Sequence, residues 1–102
     1  MTKPATAATH AQQGKRLHDQ AMQAFERKGG QEEGLRLTRE ALAEYQAALL
    51  DTPGDGEVLC CIGVQQYNLG RKEEAVRRCD EVLAMDPKNE IALGVKQACT
   101  EP

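Results

Sequence analysis

GEVLCCIGVQQYNLGRKEEAVRRCDEVLAMDPKN (residues 56–89) is the stretch whose reading decides the fold. Leu59, Ile62, Gly63 and Gln66 recur three or four positions apart, so they share one face of a helix; Val58 and Leu69 widen its apolar surface. Gly70 is a stop signal, because glycine reaches left-handed backbone angles without a Cβ penalty. Ala75, Val76, Cys79, Val82 and Leu83 then repeat at three and four, giving a second helix over about Lys72 to Met85. Asp86-Pro87 ends it, and the spacing predicts that Asp86 caps a further helix with Pro87 just inside. Gly63 and Ala75 are small, so the two helix backbones are expected to approach closely. The stretch therefore reads as a helical hairpin.

A shift of 34 residues lays this hairpin over its neighbours. Ala41 falls on Ala75, Leu42 on Val76, Tyr45 on Cys79, Ala48 on Val82, Leu49 on Leu83, Pro53 on Pro87, and Leu59 on Leu93. Upstream, a helix is predicted over Gln31 to Leu50, with a stripe of Leu35, Thr38, Leu42, Tyr45 and Leu49 flanked by Ala41 and Ala48. Its first turn holds Glu32 and Glu33, which suit the positive end of the helix dipole. Before it, Leu17, Ala21 and Phe25, beside Met22 and Ala24, predict a helix over Ala11 to Lys28. Thr9 and Gln12 have capping-box spacing, and Gly29-Gly30 ends the helix. A short last helix, Lys88 to Cys99, carries Ile91, Leu93, Val95 and Ala98.

Composition sets the class. The 102 residues suffice for one domain with one modest core. Only 3% are aromatic, so aliphatic and alanine packing must build that core. Strong helix formers dominate, and no segment alternates with period two, so no strands are expected. The formal net charge is -3 with both signs mixed, which speaks against a nucleic-acid partner. The cluster Arg71, Lys72, Arg77 and Arg78 is interleaved with acids and reads as a solvated face with Glu73–Arg77 and Glu74–Arg78 pairs. No run of 18 apolar residues exists, so no membrane insertion is expected, and residues 1–14 lack the apolar core of a signal peptide. The expected compartment is the cytoplasm. Residues 1–10 read as a flexible leader.

The 34-residue helix–turn–helix period resembles the tetratricopeptide-repeat family, whose pattern is W-x2-L-G-x2-Y, then A-x3-F, then P. Leu59 stands where Trp is common, Ile62-Gly63 match the Leu-Gly pair, Gly70 fits the turn, Ala75 matches the Ala, and Pro87 the Pro. Gln66 departs from the expected Tyr, and Cys79 replaces the aromatic residue. In the preceding unit Ala41, Tyr45 and Pro53 match, but the unit fits only with about seven extra residues near Gln31 to Leu37, which predicts longer helices or a longer turn. The expected organisation is all-α: five helices forming about two stacked antiparallel hairpins plus a capping helix. The single domain spans 11–99, divided into an extended first repeat (11–53), a second repeat (54–87) and the cap (88–99).

The resemblance implies a non-catalytic module that binds another protein or peptide in the groove lined by the first helix of each pair. The groove residues it implies are Cys60, Val64, Tyr67 and Asn68 in the second repeat. Arg16, Asp19, Gln23 and Arg27 take the same places in the first, and Gly94 and Ala98 border the end. An apolar centre at Cys60, Val64 and Tyr67 suits a hydrophobic peptide or helix. A second reading is a self-assembling structural unit, a homo-oligomer, since fewer than three repeats often need partners. A third is thiol redox or metal chemistry at Cys60, Cys61, Cys79 and Cys99. Their spacing fits no zinc pattern, however, and neighbouring Cys60 and Cys61 diverge by about 100° on a helix. His10 and His18, eight apart, make a weak metal pair. No phosphate loop or nucleophile elbow occurs, so neither an enzyme nor a cofactor is expected.

Overall fold

Helix ends leave free backbone groups, which side chains satisfy at the starts of two of the helices. In a computed structural model describing residues 7–101, the helices are α1 (Ala7–Glu26), α2 (Gln31–Asp51), α3 (Gly56–Asn68), α4 (Lys72–Met85) and α5 (Glu90–Thr100). No strand is present among the described residues. Asp55 caps α3 by accepting from the Glu57 and Val58 amides at 3.0 and 3.2 Å. Asn89, 34 positions on, caps α5 by accepting from the Ala92 amide at 3.0 Å. α2 and α4 likewise end 34 positions apart, at Asp51 and Met85. Gly29 (φ 78°) and Gly70 (φ 79°) make the left-handed residue of the two hairpin turns.

Several expected boundaries move. α1 starts at Ala7, so Thr9 lies inside the helix and is not its cap, and the expected leader 1–10 is helical from residue 7. Residues 1–6 of that leader lie outside the described residues. Asp86 does not cap α5. It closes α4, and its Oδ1 accepts from the Lys88 amide at 3.3 Å, so Pro87 and Lys88 form a turn before the cap at Asn89. The predicted Glu73–Arg77 and Glu74–Arg78 pairs do not form. Arg78 pairs with Glu81 at 3.3 Å, and Glu74 accepts from Gln66 Nε2 at 3.4 Å.

The extra residues of the first hairpin are helix. α1 and α2 have 20 and 21 residues against 13 and 14 in α3 and α4, about two turns more each. The turn stays short, Arg27 to Gly30. The hairpins stack in chain order: α1 on α2, α2 on α3, α3 on α4, and α5 against both α3 and α4. The result is a slab of 48 × 38 × 18 Å, about two helix layers thick.

Three apolar clusters hold the stack. Ala41, Leu42, Tyr45 and Ala48 of α2 pack on Val58 and Ile62 of α3. Leu59 and Cys60 pack on Cys79 and Val82 of α4 and Ala92 of α5. Ala21, Ala24 and Leu37, with Leu17, Met22 and Phe25 beside them, belong to α1 and α2 alone, so the extra turns reach past the second hairpin. Leu37 is buried, although the expected stripe ran through Leu35, which is half-buried. Burying a side chain such as Ile62 completely contributes about 1.5–3 kcal/mol. Close approaches depend on missing Cβ atoms. One on Gly14 would sit 2.9 Å from the Tyr45 ring, and one on Gly34 2.5 Å from the Phe25 ring. At Gly63 the space is ordinary, 3.5 Å to Cys79 Sγ. The repeat-signature positions Ala41, Tyr45, Leu59, Ile62, Gly63, Ala75 and Cys79 are all buried, whereas Pro53, Gly70 and Pro87 lie exposed in the turns.

Candidate functional site

The first turns of α3 place Glu57, Cys60, Cys61 and Val64 on one flank of the helix, at spacings that keep them on one side. That flank is the floor of a cleft of about 480 Å³, within the range of ligand-holding clefts. One wall is His18 of α1 and Tyr45 of α2. The other comes from Val82 and Met85 of α4, Asp86 and Asn89 of the following turn, and Ile91 of α5. Met85 and Ile91 are 54% and 58% exposed, high for large apolar side chains, and form its outer edge.

Hydrogen bonds fix the walls. His18 Nδ1 lies 3.0 Å from Gln65 Nε2, tying α1 to α3, and Gln65 is otherwise fully buried. The Cys60 thiol donates to Asn89 Oδ1 at 3.6 Å, the same oxygen that caps α5, so α3 and α5 are held together at the cleft. Burial, then the neighbouring Cys61, pushes the Tyr45 phenol up. Burial pushes the Cys60 thiol up, and Cys61, Asp86 and Glu57 add to it. The Cys61 thiol is likewise pushed up by burial, against the opposing influence of Tyr45. Both are therefore thiols at neutral pH, and thiols are poor nucleophiles and metal ligands. His10 and His18 do not converge, since His10 is taken by Glu44 of α2 at 2.7 Å. Among the described residues no three His, Cys, Asp or Glu side chains are grouped to hold a metal ion.

Two of the ten expected groove residues, Cys60 and Val64, line this cleft. Tyr67 and Asn68 sit farther along α3, beyond the lining, with Tyr67 exposed. Arg16 and Asp19 are exposed on α1, where Arg16 bonds to Gln13. Gln23 and Arg27 border a separate hollow between α1 and α2, and Arg27 pairs with Glu33 there. Gly94 is exposed and Ala98 half-buried on α5, away from the cleft. Gln23 and Arg27 stand apart because α1 outruns α3, carrying its C-terminal half past the second hairpin. The lining residues that the sequence reading missed are of two kinds. Glu57 and Cys61 could have been found by continuing the Cys60–Val64 flank at helical spacing. Met85 ends α4, and Asp86 and Asn89 come from a turn that looked like the start of a helix; no local pattern announces them.

Comparison of the chain with protein-family models, with curated proteins and with solved structures gives no match. Cleft geometry and chemistry are therefore what bear on function.

Proposed function

We propose that this chain is a non-catalytic protein-interaction module of tetratricopeptide-like build, which takes an apolar side chain of a partner peptide or helix into the α3 cleft. The observation that carries it is the cleft itself: a floor of buried Cys60 and half-buried Val64, bordered by exposed Met85 and Ile91, over which no other described residue lies. Large apolar surfaces left open in a groove mark sites of association. The 34-residue spacing of caps and helix ends supports the repeat reading, because stacked hairpins of fixed period build such grooves. Four unpaired thiols fit a reducing compartment, and cytoplasmic residence belongs to the proposal. Among the described residues no helix is long and apolar enough to cross a membrane.

The test is a charge placed in the floor. Val64→Glu should leave the helical circular dichroism intact, since Val64 is only half-buried, and should abolish association with partners that co-purify with the wild type. Retention of those partners by the folded variant would reject the cleft as the docking site.

Self-association is favoured by one further observation: Leu93 is 47% exposed on α5, away from the cleft. Sedimentation decides this second reading. A monomer at every concentration removes it; an oligomer dispersed by Leu93→Asp establishes it.

A further inference from the structure

The cleft has a charge character as well as an apolar one. Its exposed charged lining residues are Glu57 and Asp86, and no Lys or Arg lines it. Among the described residues neither carboxylate forms an ion pair; the ion pairs there involve Glu33, Glu40, Glu44, Asp80 and Glu81. Both carboxylates act on Cys60, whose thiol they help to hold protonated, so their fields meet over the apolar floor. The charge of Lys15 reaches the cleft at Cys61, but Lys15 does not line it; an acidic lining beside an apolar surface selects a partner carrying the complement of both.

We infer that the occupant of the α3 cleft is a partner segment presenting a large apolar side chain next to a Lys or Arg: the apolar group seats on Cys60 and Val64 between Met85 and Ile91, and the cation faces Glu57 and Asp86. This rests on the docking reading above and adds the chemistry of the partner. The overall charge of -3 reinforces it at long range, since it speeds encounter with a basic segment at low salt. Acidic segments meet like charge at the rim.

A random-peptide phage library selected on the immobilised full chain tests it. The expected result is enrichment of peptides in which Lys or Arg flanks a Leu, Phe, Met or Trp. A synthetic peptide of the enriched pattern should bind about tenfold more weakly to the Glu57→Gln/Asp86→Asn variant, the loss expected for two partly exposed ion pairs. High salt should weaken binding to the wild type and affect the variant less. The double amide variant keeps shape and the Asp86 turn, so misfolding does not imitate the effect; circular dichroism checks this. Selection with Glu57→Lys/Asp86→Lys should turn the preference towards acidic peptides. Enriched peptides with no cationic bias, or with binding indifferent to the double amide variant yet lost in Val64→Glu, would overturn the charge inference and leave the docking reading standing. No enriched peptide at all, or peptides that bind Val64→Glu unchanged, would overturn both.

Discussion

Gln66 occupies the position where the repeat pattern places an aromatic ring, and the core treats it badly. It is 4% exposed, its Nε2 reaches Glu74 only at 3.4 Å, and its Oε1 is buried with no hydrogen-bond partner. An unpaired buried carbonyl costs about 1–3 kcal/mol, more than a weak hydrogen bond at the other end of the same amide returns. Gln66→Leu is therefore expected to raise stability by about 1 kcal/mol, read as a higher urea midpoint with an unchanged slope. A lower midpoint would show that the amide is better satisfied than its geometry indicates. Cys79 carries a second residue-scale consequence. Burial raises its thiol to about 11, from an ordinary value near 9, with Cys99 and Cys60 adding to the shift. Above the ordinary value the unfolded chain sheds this proton while the folded chain keeps it, so the unfolded state gains. Stability is full below about pH 9 and falls as pH rises towards about 11. The shifts at Cys60, Cys61, Cys99 and Tyr45 have the same sign. Urea midpoints on either side of that window should fall with pH, and Cys79→Val should make the fall shallower.

Among the helices, two glycines give opposite predictions. Gly94 sits mid-way along α5 with helical geometry and nothing within 4 Å of the place a Cβ would occupy. Gly94→Ala is expected to stabilise α5 by about 0.5–1 kcal/mol through helix propensity. Gly30, before α2, has ordinary dihedrals (φ -86°, ψ 7°), but a Cβ there would fall 1.9 Å from the Ala24 carbonyl oxygen. Gly30→Ala must push main chain apart, and a loss of about 1–3 kcal/mol is expected, measurable by thermal melting. Sequence periodicity gave the five helices because their apolar stripes recur at three and four while glycines mark the turns. It misplaced ends where two signals compete. Thr9 resembled a cap although the helix already runs through it, and Asp86 resembled a cap although it closes the preceding helix and turns the chain towards Asn89. Half of the cleft was equally hidden. Its floor follows helical spacing from Cys60, but its far wall depends on how α4, the turn and α5 are set against α3, a matter of tertiary packing.

At the scale of the whole molecule, the two hairpins are unequal in length and in support. The far end of the first has only its own small cluster of Ala21, Ala24 and Leu37, while the stretch Ala41 to Ala48 of α2 packs between α1 and α3. Local opening follows such differences in buried contact. Amide hydrogen exchange should therefore be faster around Gln31 to Leu35 than around Leu42 to Ala48 of the same helix. Uniform protection along α2 would show that the long hairpin opens as one body.

The matched spacing of Asp55 with Asn89, and of Asp51 with Met85, makes the middle hairpin interchangeable stock. A duplicate of residues 54–87 inserted after Pro87 would begin at a Pro-Gly joint, as the original does after Pro53, and would end at the joint that already leads to Lys88. α5 would serve the lengthened chain as it serves this one: where α3 offers Gly63 and Gln66 to α4, α5 carries Gln97 and Thr100, side chains suited to water. A folded, longer chain from that splice, with the helical circular dichroism of one more hairpin, is the expected outcome.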